Sequence, residues 1–515
     1  MSRGPDGERA WARGPSHAAA RVGGGGAHGG LGSLRRAMRT DPRHRRANVL
    51  PWAVILAVSG WIALSVARSG PGGSEKLVGR AETSAQQAIM TSLVNGMMAP
   101  PFRAQMGPQL SMMVGQVEGL AFPDDPGTEL GTAALLTRLG ARDKALGMLT
   151  GLRARVDSGE VEADAEFRTV LDATVELVDA AGAPGTRAIA EDRCEAVERA
   201  LGPTGRMLVA EALGRTDELA KLEASGATAL AAIVLVGLVA LLLGLAGLAM
   251  LAVFVVLAAL GRTKGVPPVP GDRNHVYAEM FAVWLVLYVG LGRAWDLLAS
   301  QLVARGVPAP TADVDLLVSV LCAVAAGALG MWWGAQRGLG WRGVREGLGL
   351  VRPSAMDVVW GVATWSMGIV LLAGGLGIAM LLAALFGDGN VRPTHPVQQM
   401  IEDSGTTGLL LTYALACVCA PVFEEVFFRG ALYRNLRTGL GRWGALGAPV
   451  AAAVLSSALF AAIHPQGLIF VPVLGSLALA FCIMREWRGT INASIVAHAV
   501  NNGVVLSLNV VLLRG

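Results

Sequence analysis

Charged, aromatic and cysteine residues are all scarce in this chain of 515 residues. Charged residues make up 16% of the sequence and aromatic residues 5%, whereas 53% of the residues are hydrophobic and the mean hydropathy is +0.50. A chain with so little charge is too apolar for an ordinary soluble protein. The composition therefore predicts a multi-spanning membrane protein.

Cysteine is too rare and too scattered to indicate a site or a cross-linked fold. Only one of the five cysteines lies outside an apolar run, so the sequence indicates neither a disulfide framework nor a cysteine-rich zinc site. The cysteines are Cys194, Cys322, Cys417, Cys419 and Cys482.

The N-terminal stretch 1–47 lacks apolar periodicity, and its only aromatic residue is Trp11. It carries ten arginines against three acids, which predicts a disordered basic tail. A nucleic-acid arm normally stacks aromatic side chains on bases, so we expect no nucleic-acid partner. We interpret the tail as a cytoplasmic topology signal.

An uncharged segment of 19 residues at 49–67 follows the tail. It is long enough to cross a hydrocarbon core of ~30 Å. The sequence SVARSG at its end lacks the A-x-A pattern of a cleavable signal peptide, and the preceding basic region is too long for one. We therefore predict an N-terminal transmembrane helix over 48–68.

Residues 70–225 differ from the rest of the chain because they are rich in alanine and in charge. Apolar residues recur there at three- and four-residue intervals, and Gly or Gly-Pro interrupts the pattern. This pattern predicts helical hairpins in an extramembrane domain with no visible catalytic set. We expect the domain to bind a protein partner or to act as a sensor.

Eight further apolar runs occupy an intramembrane region over 227–512. Together with the N-terminal helix they predict an all-α, polytopic membrane helical bundle. The runs lie at roughly 227–260, 275–303, 314–335, 357–386, 405–428, 447–463, 466–484 and 490–512.

Basic residues alternate between the links that join these runs. Lys and Arg are dense in every second link, whereas the intervening links hold at most one, Arg305 or Arg392. The positive-inside rule then places the dense links and the N-terminus in the cytoplasm and the 70–225 domain outside. The dense links are 262–273, 337–352, 434–442 and 485–488.

The composition, rich in Ala, Gly and Arg, suggests a bacterial cell or inner membrane.

Three polar clusters interrupt the last third of these spans. The first, PVFEEVFFRG at 421–430, places two acids at the end of an uncharged run. On an α-helix Glu424 and Glu425 point about 100° apart. Glu425 and Arg429 are four residues apart with the acid first, which is the favourable order for an ion pair. We predict that Arg429 neutralises Glu425 and leaves Glu424 free.

The other two clusters are each one helix turn long. FAAIHPQG places Phe460 and His464 on one face of a helix, before a proline. HAVNN places His498 and Asn502 on one face, with Asn501 turned away. Ionisable groups at membrane depth are expensive, so these residues are functional candidates.

Together these groups are what amide hydrolysis requires. Glu424, aided by His464, can take a proton from water, while His498 and Asn502 can hold the developing oxyanion. Alternatively, Glu424, His464 and His498 can bind a zinc ion whose water is the nucleophile. The spacing does not decide between these mechanisms. We expect the turn at His464 to lie buried inside the bundle.

The three clusters resemble the EExxxR, FxxxH and HxxxN motifs, in that order, of the CPBP family of intramembrane proteases, which includes the type II CAAX prenyl endopeptidases. The resemblance covers about 355–512 and not 1–225. It implies an intramembrane endopeptidase, usually described as a metalloprotease, that cuts a membrane-associated or lipid-modified protein. The residues that match its catalytic positions are Glu424, His464, His498 and Asn502, supported by Glu425, Arg429 and Phe460.

Two non-enzymatic classes compete with this hypothesis. A transporter built from inverted repeats needs matching broken helices in both halves, but the polar clusters lie only between 424 and 502. A membrane scaffold or immunity protein acting through the 70–225 domain has no need for a buried Glu, His and Asn together, although a degenerate protease kept for binding would have the same sequence features. The chain also lacks HExxH and GxGD sequences, which disfavours other intramembrane protease chemistries.

Overall fold

A computed structural model of the chain describes residues 42–68, 87, 90–103, 110–121, 125–184, 188–266, 273–386, 405–464, 466 and 468–514. Throughout these ranges the chain forms helices or connects them, and it contains no β-strand. The prediction of an all-α fold is therefore confirmed. Most of the predicted basic tail, 1–41, lies outside the described residues.

A bundle of short helices lies between the N-terminal helix and the second membrane span; it is named the extramembrane bundle after the location that the sequence predicts for it. Glycine bends the chain where the sequence predicts breaks: Gly140 (φ +79°) separates two helices, and Gly202 (φ +55°) with Pro203 kinks another. Asp164 begins one more by accepting a hydrogen bond from the Phe167 N–H at 2.7 Å. The N-terminal helix is α1 (Pro42–Arg68). The helices of the bundle include α2 (Leu110–Glu118), α3 (Pro126–Arg138), α4 (Arg142–Asp157), α5 (Ala165–Ala180) and α6 (Glu191–Ala212), with a short helical turn at Pro100–Arg103.

Nine segments of the described chain are long and apolar enough to cross a membrane. This confirms the prediction of a multi-pass membrane protein with one N-terminal span and eight core spans. The spans are α1, α7 (Thr216–Ala259), α8 (Asn274–Ala304), α9 (Ala312–Gly334) continued by α10 (Gly340–Leu348), α11 (Ala355–Phe386), α12 (Thr406–Gly439), α13 (Gly444–Ala462), α14 (Val471–Arg488) and α15 (Asn492–Arg514).

Two helix boundaries differ from the expectations. Helix α1 begins at Pro42, inside the predicted tail. Helix α7 begins at Thr216 and continues without a break through the predicted domain boundary at 225–227. With 44 residues, α7 is about 66 Å long. Its first turns therefore belong to the extramembrane bundle and its later turns to the membrane region.

The extramembrane bundle has a hydrophobic core of its own. Leucine, valine and alanine side chains from α3 to α6 form it, including the fully buried Leu135 and Leu149. Arg138 of α3 donates hydrogen bonds to Glu211 of α6 and Glu223 of α7, at 2.5 Å each. The first turns of α7 are thereby fixed to the bundle.

Glycines allow α7 to approach two other parts of the chain closely. A Cβ atom on Gly226 would stand 2.4 Å from the nitrogen of Gly96, in the extramembrane bundle. A Cβ atom on Gly247 would stand 2.1 Å from the carbonyl oxygen of Ser366, in α11. One continuous helix therefore contacts the extramembrane bundle and the membrane region through backbone-to-backbone packing.

Aromatic side chains fix α12 in the middle of the membrane region. Phe427 stacks on Trp284 of α8 with ring centroids 4.8 Å apart. Phe428 packs edge-on against Phe281 of α8 and Phe460 of α13, at 5.0 Å in both pairs. Such pairs contribute about 0.5–1.5 kcal/mol each beyond their buried area. These aromatic contacts hold in place the turn of α12 that follows Glu424 and Glu425.

Two arginines that the sequence assigns to cytoplasmic links are buried. Arg434 is 4% exposed and Arg485 is 0% exposed. Both donate to the carbonyl oxygen of Gly347, at 2.9 and 3.2 Å respectively. Gly347 lies in the last turn of α10, where backbone carbonyls lack helical partners. These arginines therefore cap α10 and add no surface charge to the links.

We expect the substitution Gly226→Ala to weaken the contact between α7 and the extramembrane bundle. The new Cβ would stand 2.4 Å from Gly96 and 2.6 Å from the carbonyl oxygen of Ser92, so the backbones must separate. Overpacking of this kind costs about 1–3 kcal/mol. Thermal unfolding of the full chain in detergent should show a lower Tm.

Gly237→Ala is the matched control on the same helix, because among the described residues no atom outside the adjoining part of α7 lies within 4 Å of its Cβ position. Its Tm should be unchanged or slightly higher, since alanine is the better helix former. Equal Tm values for the two variants would contradict the assigned role of the close approach.

Candidate active site

Helix α12 departs from regular α-helical geometry around the first polar cluster. It has π-helical hydrogen bonding over Leu415–Cys419 and again over Glu425–Leu432. A single α-helical turn, Ala420–Glu424, lies between these segments. π-Helical turns are rare and occur frequently at functional sites. Glu424 and Glu425 therefore occupy the junction between an α-helical and a π-helical segment.

Glu425 and Arg429 form the predicted ion pair. Arg429 Nη1 lies 2.9 Å from Glu425 Oε1, and both side chains are buried. Arg429 Nη2 also donates to the carbonyl oxygen of Ala478 in α14 at 3.1 Å. The guanidinium lies 4.7 Å from the ring centroid of Phe460. The charge of Arg429 is thus balanced and enclosed, and the pair joins α12 to α14.

His498 of α15 shares the carboxylate of Glu425. Its Nδ1 lies 3.1 Å from Glu425 Oε1, and its ring stacks on Phe481 with centroids 5.4 Å apart. An ionised carboxylate only accepts hydrogen bonds, so Nδ1 of His498 carries the hydrogen. Glu425 therefore orients His498 in addition to pairing with Arg429, a role that the sequence does not predict.

His464 lies in the turn that follows α13. Its Nδ1 lies 2.6 Å from the carbonyl oxygen of Phe460, and the two rings are 4.3 Å apart. Because a carbonyl oxygen accepts, Nδ1 of His464 also carries the hydrogen. Helix α13 ends at Ala462. The next residue after His464, Pro465, lies outside the described residues.

The three predicted ionisable groups converge on one oxygen atom. Nε2 of His498 lies 3.8 Å, and Nε2 of His464 lies 3.9 Å, from Glu424 Oε2. Within the described part of the chain, this buried oxygen has no hydrogen-bond partner. Buried polar atoms are normally paired, so the position is unusual. The turn at His464 thus lies close to Glu424, and the side chain of His464 is 23% exposed.

All three converging atoms are acceptors when the imidazoles are neutral. A hydrogen on Nδ1 leaves a lone pair on each Nε2, and an ionised Glu424 also offers only lone pairs. Three acceptors repel one another unless a donor or a cation lies between them. The arrangement is therefore suited to a water molecule, a shared proton or a cation.

The donor set suits zinc in its chemistry but not in its spacing. With bonds of about 2.0 Å, the ligand atoms of a tetrahedral zinc ion lie about 3.3 Å apart. The separations at Glu424 Oε2, 3.8 and 3.9 Å, are longer. In the described ranges no three His, Cys, Asp or Glu side chains are placed to hold a metal ion. We therefore derive no step through zinc, and zinc binding by Glu424, His464 and His498 stays a prediction.

Asn502 lies one turn after His498, and both the nitrogen and the oxygen of its side-chain amide are hydrogen-bonded. Its Nδ2 donates to the carbonyl oxygen of Ala416, in the first π-helical segment of α12, at 2.8 Å. Asn501 Nδ2 donates to Asn502 Oδ1 at 3.3 Å. Asn501 thus contacts its neighbour Asn502.

Several contributors to the site have no signal in the sequence. Ala416 and Ala478 contribute backbone carbonyls, which every residue has, and Phe481 contributes a ring in an otherwise ordinary apolar run. Only the tertiary arrangement identifies such residues.

The described chain is thus a polytopic membrane protein with a Glu-His-His cluster and a nearby amide at its centre. Residues 406–504 match the family model of the type II CAAX prenyl endopeptidase Rce1-like proteins. This match confirms the resemblance for α12 to α15, the part that contains all three motifs. Searches of curated proteins and of solved structures gave no significant match.

We expect Arg429→Leu to destabilise the fold strongly. The change leaves Glu425 buried without its cation, which costs about 3–5 kcal/mol. Thermal unfolding of the full chain in detergent measures the loss. Arg342→Leu is the control, because Arg342 also forms an i,i+4 pair, in the reverse order with Glu346, but the two side chains are 91% and 65% exposed. The control should change Tm very little, and equal losses in both variants would contradict the account.

Proposed function

We propose that this chain is an intramembrane endopeptidase that hydrolyses a peptide bond of a membrane-associated or lipid-modified protein. One observation carries the proposal: the buried, unpaired Glu424 Oε2 faces Nε2 of His464 and of His498 at 3.9 and 3.8 Å. Such a group is placed for proton transfer, because burial strengthens its interactions with neighbouring charges and dipoles. The family match over 406–504 supports the same reaction class.

In this proposal Glu424 acts as the general base. A water molecule between Glu424 and His464 donates one hydrogen to Oε2 and the other to Nε2, because both atoms are acceptors. Transfer of the first hydrogen, as a proton, to Glu424 allows the water oxygen to form a bond with the carbonyl carbon of the substrate. The hydrogen bond between His464 Nδ1 and Phe460 keeps Nε2 directed toward that water.

His498 and Asn502 stabilise the oxyanion that develops in this step. His498 donates from Nε2 when it is an imidazolium, and Glu425 accepts a hydrogen bond from its Nδ1 and orients the ring, as the acid of a catalytic triad does. Asn502 uses one Nδ2 hydrogen on Ala416 and has the second for the oxyanion. When the carbon–nitrogen bond breaks, the proton held by Glu424 passes to the leaving nitrogen.

The location of the site and the family match support a substrate class. The side chains of Glu424 and His464 are 18% and 23% exposed, so a peptide can reach them from the surface of the bundle. The name of the matching family specifies a prenylated substrate. We infer that the substrate is anchored in or at the lipid bilayer. A protein partner for the 70–225 domain is proposed in addition.

We expect Glu424→Gln to abolish proteolysis, because this nearly isosteric change removes the base. Membrane-protein fragments and new peptide termini are compared by mass spectrometry between cells with the native protein and cells with the variant, at equal expression. Peptides that vanish with the variant identify substrates. Glu346→Gln, which changes a carboxylate that is 65% exposed, is the matched control and should leave the profile intact.

The opposite outcome favours the competing class. Indistinguishable profiles for the native protein and Glu424→Gln, together with a phenotype when the whole gene is deleted, would show that the protein acts without this carboxylate. A non-catalytic scaffold working through the 70–225 domain would then be the better account.

Zinc dependence has a separate test. If Glu424 activates water without a metal ion, the purified full chain should hold substoichiometric zinc and keep its activity in a chelator. Elemental analysis and cleavage assays with and without the chelator measure both. One equivalent of zinc that is lost in His464→Ala would show instead that these side chains bind the metal.

A further inference from the structure

The carbonyl of Ala416 lacks the backbone N–H donor that would continue the π-helical hydrogen bonding of α12. In the first π-helical segment the N–H of Ala420 donates to the carbonyl oxygen of Leu415, five residues earlier. In the same register, the N–H of residue 421 would donate to Ala416. Residue 421 is proline, which has no N–H.

Asn502 supplies the donor that Pro421 lacks. Its Nδ2 lies 2.8 Å from the carbonyl oxygen of Ala416, although 86 residues of sequence separate the two positions. Pro421 itself is buried, in the short α-helical turn that ends at Glu424. A backbone carbonyl at membrane depth needs a hydrogen-bond donor. Because proline at 421 cannot donate to the Ala416 carbonyl, the side chain of Asn502 provides that hydrogen bond instead.

The same contact decides which way the Asn502 amide faces. Nδ2 must face Ala416, because two carbonyl oxygens would repel each other. Asn501 Nδ2 donates to the opposite end, Oδ1, at 3.3 Å. The amide is therefore fixed in one orientation, and the second N–H of Nδ2 is left for another acceptor.

We propose that Pro421 is a positioning residue of the active site. Because Pro421 has no N–H, the Ala416 carbonyl can accept a hydrogen bond from Asn502 Nδ2. That hydrogen bond orients the Asn502 amide so that its second N–H can donate to the oxyanion. The catalytic half of the inference rests on the proposed peptidase function. The pairing of Pro421 with Asn502 is independent of that function.

A double-mutant cycle on stability tests the pairing. Asn502→Ala leaves the Ala416 carbonyl without its donor and should lower the Tm of the full chain in detergent by about 2 °C or more. In Pro421→Ala the new N–H can take that carbonyl, so adding Asn502→Ala should lower Tm by much less. An equal loss in both backgrounds would overturn the inference, whatever the activity data show.

Pro449→Ala provides the matched control for the proline substitution. Pro449 lies inside α13, and its removal also adds an N–H to a membrane helix. The loss caused by Asn502→Ala should be the same in this background as in the native chain. A reduced loss here would mean that any proline removal masks the effect, and would also overturn the inference.

The catalytic half is tested in proteoliposomes that contain the full chain. The probe is a quenched fluorogenic peptide that ends in a farnesylated cysteine and three further residues. Pro421→Ala should lower kcat about tenfold with KM unchanged, because an oxyanion donor acts only in the transition state. A helix that is merely repacked would not combine an unchanged or raised Tm with a selective loss of kcat.

Glu424→Gln separates the two ways in which the catalytic half can fail. Full kcat in Pro421→Ala, with no cleavage by Glu424→Gln, would refute the positioning role and leave the peptidase proposal intact. Equal cleavage by the native chain and Glu424→Gln, or none by either, would refute the peptidase proposal for this substrate and with it the catalytic half. The stability cycle would still decide whether Pro421 and Asn502 are coupled.

Discussion

A single carboxylate buried at membrane depth organises the site. Glu425 is 0% exposed, and its Oε1 lies 2.9 Å from Arg429 and 3.1 Å from His498. Burying a charge in a bilayer is costly unless partners surround it, and Arg429 is enclosed further by the carbonyl of Ala478 and the ring of Phe460. Through this one group, α12, α14 and α15 are fixed relative to one another.

The two adjacent acids of α12 consequently have opposite surroundings. Glu425 is tied to a cation, whereas the carboxylate oxygen of Glu424 faces the lone pairs of His464 and His498. Neighbouring carboxylates in such different environments are suited to different tasks. We propose that Glu425 supports the structure and orients His498, whereas Glu424 exchanges protons with water. One π-helical segment of α12 begins at Glu425, and another ends at Cys419, one α-helical turn before this junction.

Sequence patterns predict the structural features that depend on residues close together in the chain. Hydropathy locates all nine spans in the described chain, and the four-residue spacing identifies the pair Glu425–Arg429. The contacts of Glu425 with His498 and of Ala416 with Asn502 join positions 73 and 86 residues apart, so spacing cannot reveal them. The π-helical register also leaves no mark in an apolar run. At 225–227 the composition changes because the surroundings of α7 change, while the helix itself continues.

The central claim is that Glu424 activates water and does not itself attack the peptide bond. The most direct measurement is a single-turnover cleavage of the farnesylated probe peptide by the purified full chain, in water labelled with heavy oxygen. Mass spectrometry then locates the label in the products and in the protein. The account predicts one labelled oxygen in the new carboxyl terminus of the product and none in Glu424. Label in the carboxylate of Glu424 would reveal an acyl intermediate on that residue and would contradict the account.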